Sequence, residues 1–279
     1  MKAKHIVLLS VFLSLFVGPI LYFVLLVNSY GIDLYTNWTV ENVVRPKAEK
    51  YIAQTYPEKD FQIVDSYHVL LDDYYVVEIQ SPSSRDTHFA ITYDGLIPEL
   101  SYDHYESSVL SGITIRGRLI EEYDALIQQT LGDYPGMYIL KGDFCVYTDH
   151  YGSSSYFSPE GLDPATLELD REYDVGAMGW DYGTLQIWVL DEEDNINTER
   201  ICELLTDMDR RLTEAGVGYR FIEFRIASGT YKEDHIDLCV YDVTHEDLTC
   251  EDPMARLQEI WNEQEAKRQE RRAQRESNG

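Results

Sequence analysis

Residues 61–95 read FQIVDSYHVLLDDYYVVEIQSPSSRDTHFAITYDG, and their periodicity decides the class of the fold. From Phe61 through Ile63, Asp65, Tyr67 and Val69 the pattern alternates, the signature of a strand whose successive side chains leave on opposite faces. Asp72-Asp73 supplies a turn. Tyr75, Val77 and Ile79 then alternate with Tyr74, Val76 and Glu78. Ser81-Pro82-Ser83-Ser84 makes a second turn. Phe89, Ile91 and Tyr93 alternate with His88, Ala90 and Thr92, and Asp94-Gly95 closes the last strand. The stretch predicts a three-stranded antiparallel meander.

Just upstream, Val40, Val43, Val44, Ala48, Tyr51, Ile52, Thr55 and Tyr56 recur at helical spacing. Pro46 interrupts the pattern, so a regular helix is expected from near Pro46 to Tyr56-Pro57. One helix and one small sheet make an α+β unit of about 70 residues, near the lower limit for a self-sufficient core.

Downstream, Leu119, Ile120, Tyr123, Leu126, Ile127 and Leu131 predict a second amphipathic helix, closed by Gly132-Asp133-Tyr134-Pro135. Met137 to Thr148 reads as a strand and Gly152 to Tyr156 as a Ser-rich loop. Asp163-Pro164 should open a short helix, and Leu185, Ile187 and Val189 mark a buried strand. Ile201, Leu204, Leu205, Met208 and Leu212 form the clearest helical face, ended by Gly216. Two strands follow, with Ile222, Phe224 and Ile226 inward, then Ile236, Leu238 and Val240. Thr249-Cys250-Glu251-Asp252 has the form of a capping box ahead of a last helix through Met254, Leu257, Ile260 and Trp261. The tail from Glu263 to Gly279 has no apolar face and is expected as a solvated helix or disordered chain.

At the other end, Ile6 to Val27 is 22 residues without a charge. A helix of that length spans about 33 Å, enough to cross a bilayer core. Val27-Asn28-Ser29 loosely resembles a signal-peptide cleavage site, but the apolar run exceeds the ~7–15 residues usual for such a peptide. An uncleaved signal-anchor is therefore expected. Lys2 and Lys4 precede the run, and the next basic residue after it is Arg45. The positive-inside rule then predicts a single-pass protein of the cell membrane, with a cytoplasmic N-terminus and extracytoplasmic domains.

The expected fold class is thus α+β: an N-terminal transmembrane helix followed by two small antiparallel-sheet-plus-helix domains. The expected boundaries are 1–31 for stub and anchor, 32–107 and 108–262 for the domains, and 263–279 for the tail. The net charge of −27 bears on partners. Such a surface repels phosphate backbones and argues against nucleic acid. The partners expected are the membrane and an envelope protein or peptide.

Several segments together resemble the YfjL-like group of membrane-anchored proteins from Gram-positive bacteria. They are the N-terminal apolar run, the helix of Lys47-Ala48-Glu49-Lys50-Tyr51-Ile52 ending at Tyr56-Pro57, the meander, and Leu169-Asp170-Arg171-Glu172-Tyr173-Asp174-Val175 followed by Tyr182-Gly183-Thr184-Leu185. The first unit is also similar to PepSY-type modules. The resemblance implies an envelope protein of unknown function and no catalytic residues.

Chemistry-bearing motifs are sparse. Gly-Xaa-Ser-Xaa-Gly, a Walker loop, a Rossmann fingerprint, HExxH and CxxC are all absent from the sequence, so no enzyme activity and no cofactor is expected. The four cysteines, Cys145, Cys202, Cys239 and Cys250, are either unpaired thiols or one or two disulfides. Cys145 and Cys239 fall on predicted strands, which favours that pair. His68 and His88 lie in strands and His245-Glu246-Asp247 in a polar turn; each is more readily a structural residue than a ligand. Asp191, Glu193 and Asn195 alternate as calcium-loop oxygens do, but Ile196 stands where glycine belongs and Cys202 where the closing Glu belongs. The plainer reading is a strand-to-helix loop. The 22 tyrosines suit strands and adhesive surfaces alike. The expected function is a membrane-anchored extracytoplasmic binding or accessory module, with a tethered sensor or a hydrolase as alternatives.

Overall fold

The computed structural model describes residues 35–70, 72–147, 157–158, 161–191, 197–228 and 238–278. The chain divides into two compact units, Met1–Leu110 and Ser111–Gly279.

In the first unit, residues 35–44 are already helical, and a π-helical turn over Val40–Val44 leads into α1 (Arg45–Thr55). The wide turn answers Pro46, whose ring crowds the carbonyl four residues back and has no amide to donate. Val40, Val44, Ala48 and Ile52, each four residues apart, form the buried stripe. It packs on a four-stranded antiparallel sheet of β1 (Gln62–Val69), β2 (Tyr74–Gln80), β3 (His88–Asp94) and β4 (Glu99–Asp103), in that order. Tyr75, Val77 and Ile79 stand directly opposite Tyr93, Ile91 and Phe89, and all six are buried. These cross-strand pairs fix the register of the meander. The fourth strand was not expected. A second π-helical segment, Tyr105–Leu110, follows it and buries Val109.

The second unit holds α2 (Ile113–Leu131), β5 (Met137–Phe144), the short strands β6 (Val146–Tyr147) and β7 (Phe157–Ser158), α3 (Val175–Tyr182) and β8 (Gly183–Asp191). Then come α4 (Thr198–Glu214), β9 (Phe221–Ser228), β10 (Leu238–Val243), α5 (His245–Thr249) and α6 (Pro253–Asn278). Its main sheet has the order β10-β9-β8-β5. Leu185, Ile187 and Val189 of β8 and Ile222, Phe224 and Ile226 of β9 form one apolar cluster with Leu119, Tyr123 and Ile127 of α2 and Leu205, Met208 and Leu212 of α4.

Two parts of the expected fold class are corrected. This sheet is mixed: β8 and β9 run parallel, with α4 as the crossover that a parallel pair requires. The N-terminal transmembrane helix is also withdrawn, since no helix among the described residues is long and apolar enough to cross a membrane. The segment 6–27 that suggested it lies outside the described residues, as does the loop 152–156.

The helix caps are partly relocated. Asp163 caps the 3-10 turn Pro164–Thr166 through the Ala165 amide. The capping box is Thr244–Asp247, at the start of α5, and not Thr249–Asp252. Asp252 caps α6 alone, accepting from the Ala255 amide at 3.0 Å. The polar tail continues α6 as far as Asn278.

Candidate functional site

The expected disulfide is not formed. Cys145 follows β5 and Cys239 lies on β10, the two opposite edges of the second sheet. Three strand spacings, about 14 Å, separate those edges, whereas a disulfide needs Cα atoms within about 7 Å. All four cysteines are free thiols. Of the calcium-loop candidates, Asp191 ends β8, and Glu193 and Asn195 lie outside the described residues. Among the described residues no three His, Cys, Asp or Glu are grouped to hold a metal ion. His68 and His88 sit on β1 and β3, either side of β2, and His68 bonds Asp73 at 3.1 Å instead.

His245 has the most developed surroundings of any histidine described. Its Nδ1 lies 2.7 Å from Oδ1 of Asp209, a buried carboxylate on α4 that also accepts from the Tyr219 hydroxyl at 2.6 Å. The Trp180 ring stacks over Tyr219 and meets the His245 ring edge-on at 5.1 Å. Burial, followed by the bond to Asp209, pushes the Tyr219 hydroxyl well above its usual range. A buried acid orienting an imidazole is half of a hydrolytic triad. The other half is missing among the described residues: Asp209 is the hydrogen-bonding partner of the His245 ring, and no hydroxyl or thiol joins it. The arrangement ties α4 to α5. The neighbouring Arg256 on α6 donates to Asp247 at 2.7 Å and extends the tie.

Sheet edges offer a different chemistry, since an edge strand presents unpaired amides and carbonyls to any extended chain. The four principal edges are treated unequally. On β5, the Leu140 carbonyl accepts from Gln128 at 2.6 Å and the Gly142 amide donates to Asp124 at 2.7 Å, both from α2. On β10, both backbone groups of Tyr241 are taken by the side chain of Gln264. On β1, a bulge between Ile63 and Asp65 breaks the ladder, and the Asp65 carboxylate takes the Ser66 amide. On β4, no side chain among the described residues takes a backbone group of residues 99–102.

β4 is also held rigidly from behind. Lys47 of α1 donates to the Pro98 carbonyl at 2.6 Å, and Tyr35 donates to the Leu96 carbonyl at 3.1 Å. At its far end Asp103 accepts from the hydroxyls of Tyr51 and Tyr56, at 2.9 and 2.7 Å, and from the Tyr105 amide at 2.9 Å. Burial, reinforced by these bonds to Asp103, raises the pKa of both tyrosine hydroxyls. Behind the anchor, Tyr56, Phe61, Phe89 and Tyr105 pack with ring centroids 5.1 to 6.2 Å apart. On the strand and its turn, Leu96 is 75% exposed, Ile97 76%, Leu100 44% and Tyr102 51%.

Sequence reasoning missed this strand because both its faces are exposed and leave no apolar alternation. The signal it did carry was Leu100 and Tyr102, two residues apart, just after the Asp94-Gly95 turn.

No family model matches the chain, and no curated protein matches it. Among solved structures it is similar to a DUF5037 family protein from Ruminococcus gnavus ATCC 29149, at 12% identity and a TM-score of 0.24, over 74% of this chain and 97% of that one.

Proposed function

We propose that this protein is a non-catalytic binding module that receives an extended, basic segment of a partner protein along the edge of β4. The observation that carries the reading is the contrast between edges. Those of β5 and β10 are bonded by side chains from neighbouring helices, whereas β4 is braced by Lys47, Tyr51 and Tyr56 and no side chain among the described residues takes a backbone group of residues 99–102; β1 and β4 each carry one bulge, but only on β1 does a side chain, that of Asp65, take a strand amide. An added strand gains main-chain bonds along such an edge and takes its specificity from alternate side chains. Bracing lowers the ordering cost of binding.

The side chains set the chemistry. Leu100 and Tyr102 offer exposed apolar surface, Glu99 pairs with Asp94 where the strand begins, and Glu106 lies in the segment that follows it. Residues 35–110 carry 13 acidic and 5 basic side chains, a net of −8 with His neutral. The favoured ligand alternates apolar and basic residues. The register shift opposite Thr92 and Tyr93 leaves an extra residue, Ser101, on β4, so the usable edge is short. Five residues of strand reach about 17 Å, which bounds the ligand to a segment of similar length.

The test is a titration of the full chain with a peptide alternating Val and Lys, followed by calorimetry and amide chemical shifts. Saturable binding is expected, with the largest shifts at residues 99–103. Leu100→Lys should weaken it at least tenfold with the far-ultraviolet spectrum unchanged, and a Val/Glu peptide should not bind. Equal binding by wild type and Leu100→Lys, or shifts confined to the second unit, would sink the reading.

A further inference from the structure

We propose that one end of the first unit is a lipid-contact surface, which seats Trp38, Leu70, Leu96 and Ile97 in the interfacial layer of a zwitterionic bilayer. Val69, Tyr74, Asp94 and Glu99 pair in succession across β1, β2, β3 and β4 and form the last rung of the sheet. The β1–β2 turn and the β3–β4 turn therefore leave from the same end, about 10 Å apart at two strand spacings. Both turns carry apolar side chains into water: Leu70 is 64% exposed, Leu96 75% and Ile97 76%. The Tyr35 hydroxyl donates to the Leu96 carbonyl, which brings the start of the helical segment 35–44 to this end as well. Trp38, three residues further along that helix, is 59% exposed.

The β3–β4 turn is held in place. Gly95 reverses the chain at a φ of +88°, Pro98 is buried, and the carbonyls of Leu96 and Pro98 accept from Tyr35 at 3.1 Å and Lys47 at 2.6 Å. Leu96 and Ile97 are thus presented on a turn whose backbone is tied at two points. Turns are ordinarily the place for small and polar residues. Two large aliphatic side chains kept in water there add nothing to the core of this unit.

The sequence ahead of Tyr35 selects the occupant. Ile6 to Val27 is 22 residues without a charge, and only residues 28–34 separate it from the fold. Seven residues reach at most about 25 Å. The medium that takes up the apolar run therefore lies within that distance of the patch, and both call for the same surroundings. The composition agrees, since Trp38 and Tyr35 have the amphipathic rings that suit a membrane–water interface. Charge narrows the choice of lipid. Asp72, Asp73, Asp94 and Glu99 are exposed at the same end, and Lys47 is committed to Pro98. This negative rim repels anionic headgroups and leaves a zwitterionic surface as the fit. Side chains of this kind settle about 5–10 Å into the boundary of headgroups and chains, so the acids stay in water and no part of the sheet crosses the bilayer.

The experiment mixes the full chain with phosphatidylcholine vesicles, with and without phosphatidylcholine brominated high on its acyl chains. The difference between wild type and Trp38→Phe isolates the fluorescence of Trp38 from that of the other three tryptophans. The brominated lipid should quench this component, and vesicles should slow hydrogen exchange at the amides of Leu96 and Ile97. The double variant Leu96→Glu, Ile97→Glu changes two exposed positions, so its far-ultraviolet spectrum should be unchanged while Trp38 quenching falls at least twofold. Leu70→Glu, on the other turn, should act in the same direction. Undiminished quenching in both variants would mean that the chain ahead of Tyr35 alone brings Trp38 to the lipid, and would overturn the proposal. So would the lack of any quenching, or a Trp38 already shielded from acrylamide without vesicles, which would assign the patch to residues 6–27 or to a second copy of the chain. Leu100 is wild type throughout and no peptide is present, so the result is separate from that for the β4 edge.

Discussion

The side-chain amide of Gln264 occupies both backbone groups of Tyr241, donating to its carbonyl at 2.7 Å and accepting from its amide at 3.2 Å. One residue of α6 thus does for β10 what a neighbouring strand would do. The Arg268 guanidinium lies 5.4 Å over the Tyr241 ring and holds the helix in place. Gln264→Ala should expose both groups and cost about 1–2 kcal/mol of stability. Urea unfolding measures the loss, and faster hydrogen exchange at the Tyr241 amide locates it. An unchanged exchange rate would mean that the edge is protected by other means.

Asp209 is a buried carboxylate shared by Tyr219 and His245. Asp209→Ala strands the buried Tyr219 hydroxyl and should cost about 2–4 kcal/mol. Tyr219→Phe should cost less, about 1–2 kcal/mol. The double variant should lose less than the sum of the two, since both changes break one network. Chemical denaturation of the four proteins in the cycle checks this, and strict additivity would count against a shared network.

The Tyr93 hydroxyl is buried and has no hydrogen-bond partner among the described residues. Burial pushes its pKa up from 10.0 to about 12. The folded state therefore keeps this proton at a pH where the unfolded chain gives it up. The stability this contributes is fully present below pH 10 and is lost as the pH rises towards 12. Tyr93→Phe should be neutral or stabilising by up to about 1 kcal/mol at pH 7, because it removes an unsatisfied buried group. It should also flatten the fall in stability above pH 10, as followed by urea unfolding across the alkaline range. The fall will not vanish, because burial also raises Tyr123 and Tyr219.

Gly179 brings α3 against the loop before β9 so closely that an added Cβ would lie 2.0 Å from the Gly218 carbonyl oxygen. That neighbour is backbone and cannot step aside. Gly179→Ala should cost at least about 2 kcal/mol and loosen the Trp180–Tyr219 stack that the loop carries. A melting curve reads the first effect and the fluorescence of the tryptophans the second; a variant as stable as wild type would show the contact to be yielding.

Elements with a one-sided apolar face were legible in the chain itself. The alternation of Tyr75, Val77 and Ile79 against Phe89, Ile91 and Tyr93 predicts β2 and β3, and the same residues meet across the register. The face of Ile201, Leu204, Leu205, Met208 and Leu212 predicts α4, and each of the five is buried. β4 escaped because its apolar residues stand in solvent. The Thr244 capping box escaped because a box five residues later has the same form in sequence, and only the turn of the chain at Val243 selects between them.

What the sequence determined by itself is what local periodicity encodes: which segments are strands or helices and which side of each is apolar. That information is local because burying one face fixes a period of 2 or about 3.6. The tertiary structure alone decided which strands of the second unit are neighbours. It placed β8 parallel to β9, separated Cys145 from Cys239, and gave Gln128, Asp124 and Gln264 their places on the edges of the second sheet. Pairing between distant segments, and the side chains that close or leave open a sheet edge, leave no periodic trace. They arise only when the whole chain has folded.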